Sequence, residues 1–182
     1  MKFRPLPPAV LLRESLAYEP GTGTLKWRIR PRAHFVDDRS WKLWNTKHAG
    51  NNAGVVSNGR RCLTIGNRPF EASRIIWKLV TGDDPEVLID HRDVNPLNDR
   101  WDNLREASHS QNRANFPGRS RVSRYKGVSR HTHGRWQAQI DFKLVHYHLG
   151  LFDDEEAAHA AYVAKAKELH GEFANDGRGI GK

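Results

Sequence analysis

The sequence predicts an α+β protein built from small modules, because its secondary-structure signals change type over short distances. The pair Asn58-Gly59 between alternating apolar residues predicts a β-hairpin, since a two-residue hairpin turn needs positive φ at both central positions. After Phe70 the apolar spacing becomes helical. Beyond residue 123, three short strand patterns precede an Ala-rich helix. Only 37% of the 182 residues are hydrophobic, which favours several modest cores over one large barrel or sandwich.

Residues 1–48 are predicted to form a basic N-terminal arm and scaffold. A short helix is expected over residues 10–17, followed by a turn and an alternating strand. Residues 31–48 show no clear period and mix aromatic with basic side chains. Two interpretations stay open for that segment: an irregular surface that touches nucleic acid, or a loop pinned by Trp41 and Trp44.

Residues 49–118 are predicted to form a second domain. Its hairpin leads through a Gly66-Asn67 turn into a helix that ends at Gly82. A basic linker is expected over residues 119–123, and a further domain over residues 124–182.

Charge changes sign along the chain, whose formal net charge is +9. Residues 1–82 carry 15 Lys/Arg against 5 Asp/Glu, residues 83–118 carry 4 against 8, and residues 119–182 carry 11 against 8. An acidic segment between basic ones is typical of a cation site held on a polyanion by its flanks.

Several protein classes are excluded or disfavoured by composition. Cys62 is the only cysteine, which excludes a disulfide framework and a cysteine-based zinc site. No apolar run approaches the roughly 18 residues of a membrane span. The N-terminus lacks the apolar region of a signal peptide. We therefore expect a cytoplasmic protein, of a bacterium or a phage-infected host.

A polar stretch over residues 89–115, IDHRDVNPLNDRWDNLREASHSQNRAN, carries the predicted chemistry. Asp90 and His91 lie together at the end of an expected strand. Phosphodiester hydrolysis needs an activated water and charge neutralisation on the phosphate. A base of near-neutral pKa such as His supplies the first, and a divalent cation on oxygen ligands supplies the second.

A short helix is expected directly after this strand and loop. Ser108 and Gln111 have the spacing of a capping box, with Ser108 as N-cap. Asn112 would lie near the N-terminal end of that helix and turn toward Asp90.

The spaced set Asp90-His91, Asn103 with Leu104-Arg105, and Gln111-Asn112 with Asn115 resembles the HNH endonucleases of ββα-metal fold, over roughly residues 14–117. The likeness is to the phage and homing-endonuclease branch. It implies that His91 is the general base, that Asp90 and Asn112 are metal ligands, and that Asn103 braces the loop and orients the base. The expected cofactor is a divalent metal, Mg²⁺ with Mn²⁺ as the alternative. One departure is Ser73 before Arg74, where relatives often carry His.

Residues 124–175 resemble the AP2 DNA-binding domain through Tyr125, Gly127-Val128, Trp136 and the Ala-Ala helix. The resemblance implies a three-stranded antiparallel sheet packed on one helix, with the sheet in the major groove of duplex DNA. Two His-x-His pairs, at 131/133 and 146/148, are interpreted as surface or DNA-facing rather than as a zinc site.

The predicted DNA contacts come from the central stretch, the linker and this C-terminal module. They are Arg105, Arg113, Arg119, Arg121, Arg124, Lys126, Arg130, His131, Arg135, Trp136, Gln139 and Tyr147. Two interpretations stay open for Trp136, a stacked base contact and a core position, and a partly buried role is favoured.

Together these features predict a metal-dependent DNA endonuclease that hydrolyses phosphodiester bonds and nicks as a monomer. The expected partner is double-stranded DNA, with no membrane and no small-molecule cofactor, and the chain is expected to be a monomer or a weak homodimer. Two rival hypotheses stay open: a non-catalytic, sequence-specific DNA-binding regulator with a degenerate HNH module, and an RNA-binding protein.

Overall fold

The computed structural model describes residues 4–117 and 123–177. The chain divides into two compact units, Met1–Glu106 and Ala107–Lys182, each described below by itself. Helices and small β-sheets occur in both ranges, so the predicted α+β class is confirmed. The predicted domain limits, which place residues 107–118 in the central domain, stay predictions.

The N-terminal unit combines helices with three small sheets. Its helices are α1 (Ala9–Ser15), α2 (Asp38–His48) and α3 (Ala72–Thr81). Its strands are β1 (Leu16–Glu19), β2 (Thr24–Trp27), β3 (Val55–Ser57), β4 (Arg60–Ile65), β5 (Arg68–Glu71), β6 (Leu88–His91) and β7 (Leu104–Ala107). The sheets are β1-β2, β3-β4-β5 and β6-β7.

The core of this unit forms around α3, as its apolar spacing predicts. Ile75 and Ile76 are fully buried and join Leu12 of α1 and Leu63 of β4 in one apolar cluster. The helix ends at Gly82, whose φ of 94° is the left-handed conformation that glycine adopts without steric cost.

The hairpin turn at Asn58-Gly59 has the predicted form, with φ of 50° and 75°. It joins β3 and β4 with Val55 opposite Cys62. A second tight turn at Gly66-Asn67 joins β4 to β5. The short strand β5 lies where the sequence predicted a direct entry into the helix.

Helix α2 is the main difference from the sequence prediction in this unit, because residues 31–48 showed no clear period. Asp37 caps the helix by accepting a hydrogen bond from the Ser40 N–H, at 2.6 Å. Trp41, Trp44 and His48 recur at intervals of three and four residues, which places them on one helical face. The apolar content of that face is aromatic, and the intervening basic residues obscure the period.

The C-terminal unit consists of α4 (His109–Asn115), a three-stranded antiparallel sheet and α5 (Glu155–His170). The strands are β8 (Val128–Arg130), β9 (Trp136–Phe142) and β10 (Val145–Phe152), in the order β10-β9-β8. Helix α5 covers one face of this sheet, as predicted for the three-stranded module. Its N-cap is Asp154, whose carboxylate accepts from the Ala157 N–H.

Gly127 permits the close approach of α5 to the sheet. A Cβ at this position would lie 2.2 Å from Tyr162 Cδ2 and 2.6 Å from the Gln139 carbonyl oxygen, and φ is +69°. Only glycine satisfies both restrictions. Tyr162 is thereby buried against Ile140 and Ala166.

Across the described ranges, none of the helices combines the length and apolar character that crossing a bilayer requires.

Candidate active site and nucleic-acid interface

The predicted acid–imidazole pair lies at the end of β6, where Ile89 anchors the strand in the core of the N-terminal unit. Asp90 and His91 are both buried, with 5% and 6% of their surfaces exposed. Burial of charged or titratable side chains requires compensating partners. Asp90 and His91 each contact a different partner residue.

Asp90 forms a buried ion pair with Arg105 of β7. Arg105 Nε donates to Asp90 Oδ2 at 2.9 Å, and only 5% of Arg105 is exposed. The expectation that Arg105 contacts a DNA phosphate is therefore corrected, because its guanidinium lies inside the unit beside a carboxylate. Its observed effect is to compensate the charge of Asp90 and fix the orientation of that carboxylate.

His91 contacts Asp99, in the loop that follows β6. The distance from His91 Nε2 to Asp99 Oδ1 is 3.1 Å, and Asp99 is 2% exposed. A carboxylate at one ring nitrogen orients an imidazole and stabilises its protonated form. The buried pair is therefore arranged as an imidazole and a carboxylate that orients it.

Asp99 is held from several sides within the N-terminal unit. Its backbone carbonyl accepts from the Tyr18 hydroxyl at 2.8 Å, and its Oδ2 lies 3.5 Å from Arg61 Nε. Burial, and next the Asp99 carboxylate, raise the pKa of Tyr18 above its ordinary value, so the hydroxyl remains a donor. A Cβ on Gly23 would come within 2.6 Å of the Asp99–Arg100 backbone, so only glycine lets the β1-β2 turn lie against this segment.

Asn103 braces the loop after His91, as the sequence predicted for this position. Its Nδ2 donates to Asp93 Oδ1 at 2.9 Å and to the Asn98 carbonyl at 2.7 Å. Its Oδ1 accepts from the Asp93 N–H at 3.0 Å. The residue is 7% exposed and every one of these bonds spans the loop, so it fixes the chain between His91 and Asp99.

Asp93 is the hydrogen-bonding centre of the same loop. Desolvation alone would raise the pKa of Asp93, but hydrogen bonds from Asn98, Asn95 and Asn103 together hold that pKa below its usual value. Val94 follows at a φ of +66°, which is strained for a β-branched residue. The loop thus combines dense local hydrogen bonding with backbone strain, a combination that clusters at functional sites.

Asn112, the predicted second metal ligand, lies half-buried on α4 of the C-terminal unit. The predicted capping box is confirmed: Ser108 Oγ accepts from the Gln111 N–H at 3.2 Å, and Gln111 Oε1 accepts from the Ser108 N–H at 2.8 Å. Asn112 is therefore in the first turns of a capped helix.

The donor set can be compared with the expected metal. Among the described residues, no group of three or more His, Cys, Asp or Glu side chains could hold a metal ion. Asp90 offers a carboxylate and Asn112 an amide oxygen, and each of these is a hard donor of the kind that Mg²⁺ takes together with water and substrate phosphate. Each donor by itself suits a hard divalent cation.

The sheet register divides the predicted DNA contacts of the C-terminal unit between two faces. Trp136 and Tyr147 pack in the apolar clusters on the α5 side, so the expectation that they contact bases is corrected. Gln139 points to the opposite face, because successive side chains of β9 alternate and Ala138 and Ile140 are buried.

That opposite face carries five polar side chains, of which the sequence prediction missed Gln137 and Asp141 as DNA contacts. Gln137 Nε2 lies 3.1 Å from Gln139 Oε1 and 3.2 Å from His148 Nδ1. His146 Nδ1 lies 2.7 Å from Asp141 Oδ1. We call these five residues the open sheet face. Alternation along β9, once Ala138 and Ile140 are assigned to the core, is the signal that could have identified them.

Lys126 does not have the position expected of a phosphate contact. Its Nζ donates to the carbonyls of Ala114 and Phe116, at 2.6 and 2.7 Å, at the C-terminal end of α4. Burial, and next the charge of Arg113, lower the pKa of Lys126 to about 8. The amine stabilises the helix end.

The other basic residues that were predicted to contact DNA are more exposed to solvent. Arg124 is exposed, stacks on Tyr125 and pairs with Glu156. Arg130, His131 and Arg135 are exposed, with Arg130 lying over the Trp136 ring.

Arg113, also exposed, lines a cavity of about 250 Å³ together with Gln139. Arg119 and Arg121 lie outside the described residues.

Comparison with known proteins places the buried pair in a defined family segment. Residues 71–114 match the model of the HNH endonuclease family. Asp90, His91, Asn103 and Asn112 all fall within that range. The predicted resemblance to HNH endonucleases is confirmed over this segment.

Curated relatives match two different parts of the chain. A protein of Acanthamoeba polyphaga mimivirus, described as an uncharacterized HNH endonuclease, is 34% identical over 107 residues, which are 58% of this chain and 56% of the viral protein. A putative AP2/ERF and B3 domain-containing protein of Oryza sativa subsp. japonica is 49% identical over 49 residues, 27% of this chain and 16% of that protein. The ethylene-responsive transcription factor WRI1 of Arabidopsis thaliana is 45% identical over 53 residues, 28% of this chain and 12% of its own.

The chain thus spans about half the length of the viral relative and less than a fifth of each plant relative. The plant matches support the predicted AP2-like module. No solved structure matches the chain significantly.

Proposed function

We propose that the protein is a metal-dependent DNA endonuclease in which the HNH segment cleaves and the AP2-like unit binds duplex DNA. The observation that carries the proposal is the buried Asp90-His91 pair at the end of β6, each residue held by its own partner, inside the family-matched segment. Burying two titratable side chains costs free energy, so their placement together at the end of a strand favours a functional role over a purely connecting one.

In the proposed mechanism His91 accepts a proton from the attacking water. Asp99, on Nε2, holds the imidazole in one orientation and stabilises it when it is protonated. Asn103 keeps the intervening loop in place. A positioned base of this kind contributes roughly 10²- to 10⁴-fold to the rate.

Asp90 would hold the divalent cation, Mg²⁺ or Mn²⁺, and Asn112 is the further ligand that the family resemblance implies. When bound, such an ion neutralises charge on the phosphate and stabilises the leaving oxygen. Arg105 orients the Asp90 carboxylate through Oδ2. One active site cuts one strand, so a monomer is expected to nick DNA.

The open sheet face would supply duplex recognition. Amide side chains such as those of Gln137 and Gln139 can pair with adenine in the major groove, and a carboxylate such as Asp141 can accept from cytosine. Arg130, His131 and Arg135 at the sheet edge, with Arg113 and Arg124, would contact phosphates.

The test of the nuclease proposal is relaxation of supercoiled plasmid with Mg²⁺, with Mn²⁺ and with EDTA. We expect nicked circles with either metal and none with EDTA. His91→Ala should lose nicking while still shifting DNA in gels, and the exposed Asp102→Asn serves as a matched control on the same loop. Wild-type protein that binds plasmid but never nicks it would favour the regulator hypothesis instead.

RNA binding is the third outcome to separate. Competition of duplex DNA binding by duplex RNA and by single-stranded RNA measures it directly. RNA that displaces DNA at lower concentration than unlabelled duplex DNA would contradict the proposed substrate.

A further inference from the structure

A cavity of about 320 Å³ in the N-terminal unit is not used by the proposed mechanism. Its lining includes four groups with planar π systems and two polar side chains from the strand side. These are Trp27, Arg30, Trp44, His48, Asn52 and Thr64. A cavity of this size is at the lower end of the range of about 300–1,000 Å³ found for small-molecule sites.

The planar groups are arranged around Trp44 of α2. The Trp27 ring meets it edge to face, with centroids 5.2 Å apart, and the His48 ring lies tilted at 5.0 Å. The Arg30 guanidinium lies 4.8 Å from the Trp44 centroid. All four side chains are half-buried, so part of each remains accessible from the cavity.

Arg30 is fixed in this position by α2. The Arg30 N–H donates to Asn45 Oδ1 at 2.9 Å, and the Arg30 carbonyl accepts from Trp41 Nε1 at 2.9 Å and from Asn45 Nδ2 at 3.1 Å. Burial lowers the pKa of Arg30, but a guanidinium stays charged at any physiological pH. The cavity therefore contains a permanent, oriented cation beside aromatic rings.

The charge of the chain segment that contributes the cavity lining selects the class of ligand. Residues 26–64 contain nine Lys/Arg and two Asp/Glu, a difference of seven positive charges. Both acids, Asp37 and Asp38, lie at the start of α2, where Asp37 caps the helix and Asp38 pairs with Arg32. None of the lining residues is acidic. An anionic ligand with a flat ring is the chemistry that suits both features.

We propose that this cavity binds one unstacked nucleobase, with its phosphate directed to the surrounding basic residues. Aromatic side chains and arginine planes are the groups on which unpaired bases stack. Asn52 and Thr64 offer donors and acceptors to the edge of the base. The proposal rests on the proposed action on DNA, because local strand opening near a cleavage site would supply such a base.

The experiment uses full-length protein in EDTA, so that cleavage does not contribute. A single-stranded oligodeoxynucleotide with one 2-aminopurine reports stacking by a fall in its fluorescence, and the affinity follows from the titration. Wild type should quench the probe, and Trp44→Ala should weaken binding about tenfold. Trp44→Phe keeps a ring and should restore most of the affinity. Leu43→Ala, at an exposed position of the same helix, should change nothing.

Because Trp44→Ala removes packing within the unit, Asn52→Asp provides a second test. Asn52 is exposed, so this variant should fold normally while placing a negative charge at the cavity. We expect a loss of binding of at least fivefold. Quenching unchanged in both Trp44→Ala and Asn52→Asp would overturn the inference.

Competition experiments identify which kind of nucleotide supplies the base. A ribo-oligonucleotide and a free nucleoside monophosphate each replace the deoxy strand as competitors. Competition by any of them that depends on Trp44 supports the nucleobase site and ranks its source. Plasmid nicking with Mg²⁺ is measured in parallel. Absence of nicking by the wild type contradicts the proposed nuclease function. Normal nicking together with quenching that does not depend on Trp44 contradicts only the cavity proposal.

Discussion

The polar side chains of the candidate active site are buried, whereas those of the open sheet face are exposed to solvent. In the N-terminal unit Asp90, His91 and Asn103 are each less than a tenth exposed and each held by a named partner. The open sheet face of the C-terminal unit presents Gln137, His148 and their neighbours to solvent in a loose network. Chemistry requires atoms held in one geometry, whereas recognition requires accessible groups. Burial therefore separates the two predicted activities more clearly than residue type does.

The largest expected effect comes from breaking the buried ion pair. Arg105→Met leaves the Asp90 carboxylate buried without that guanidinium, which should cost about 3–5 kcal/mol of unfolding free energy. Urea unfolding, followed by the fluorescence of the N-terminal tryptophans, measures the loss. Arg124→Met is the control, since Arg124 is an exposed arginine whose solvent-screened ion pairs should contribute little to stability. Equal stability of the two variants would contradict the contrast.

Gly127→Ala should destabilise the C-terminal unit alone, by about 3 kcal/mol, because its Cβ would overlap Tyr162 at a positive φ. Gly59→Ala is the matched control, since its φ is also positive but no atom lies within 4 Å. Duplex binding should fall in Gly127→Ala while the circular-dichroism signal of the N-terminal helices persists at intermediate urea. A single concerted loss of both units would show that they do not unfold separately.

Asn103→Ala tests whether the loop brace matters for chemistry. Three hydrogen bonds across the loop are lost, which should cost about 1–3 kcal/mol and slow nicking at saturating DNA. The readout is the single-turnover rate compared with the Kd for DNA. Asn95→Ala, at an exposed position of the same loop, should have the smaller effect on the rate.

Several local elements of the fold and of the candidate site could be predicted from the sequence. The Asn58-Gly59 hairpin, the α3 core face and the Ser108–Gln111 capping box are local patterns, and local patterns predict local structure. The contact of Asp99 with His91 was not predicted, because it depends on how the whole loop folds back. The faces of Trp136 and Tyr147 depended on strand register, which no short motif specifies.

Gln139→Ala should weaken duplex binding by about 1 kcal/mol, or roughly fivefold, and relax sequence preference at one position. Lys167→Ala, on the helix that covers the other face of the sheet, is the matched control. Selection of bound sequences from a random duplex pool measures the preference. Identical selected sequences for Gln139→Ala and wild type would remove the open sheet face from recognition.

The smallest predicted effect concerns Lys126. Burial lowers the pKa of Lys126 in the folded state to about 8, below the ordinary lysine value of 10.5. At pH values between these two pKa values the unfolded chain therefore binds more protons than the folded chain. The stability of the C-terminal unit should therefore rise with pH from about 8 to 10, by about 1 kcal/mol after allowance for solvent screening at a half-buried site. Lys126→Met should remove this rise. A wild-type stability that falls more steeply than that of Lys126→Met over the same interval would contradict the assignment.

The most direct test of the division between cleaving and binding is a paired measurement on His91→Ala with Mg²⁺. The nicking rate of supercoiled plasmid and the Kd for the same DNA are determined on one preparation. The predicted result is a rate reduced by roughly 10²- to 10⁴-fold with Kd changed less than about twofold. Nicking at the wild-type rate, or a loss of binding that matches the loss of nicking, would contradict it.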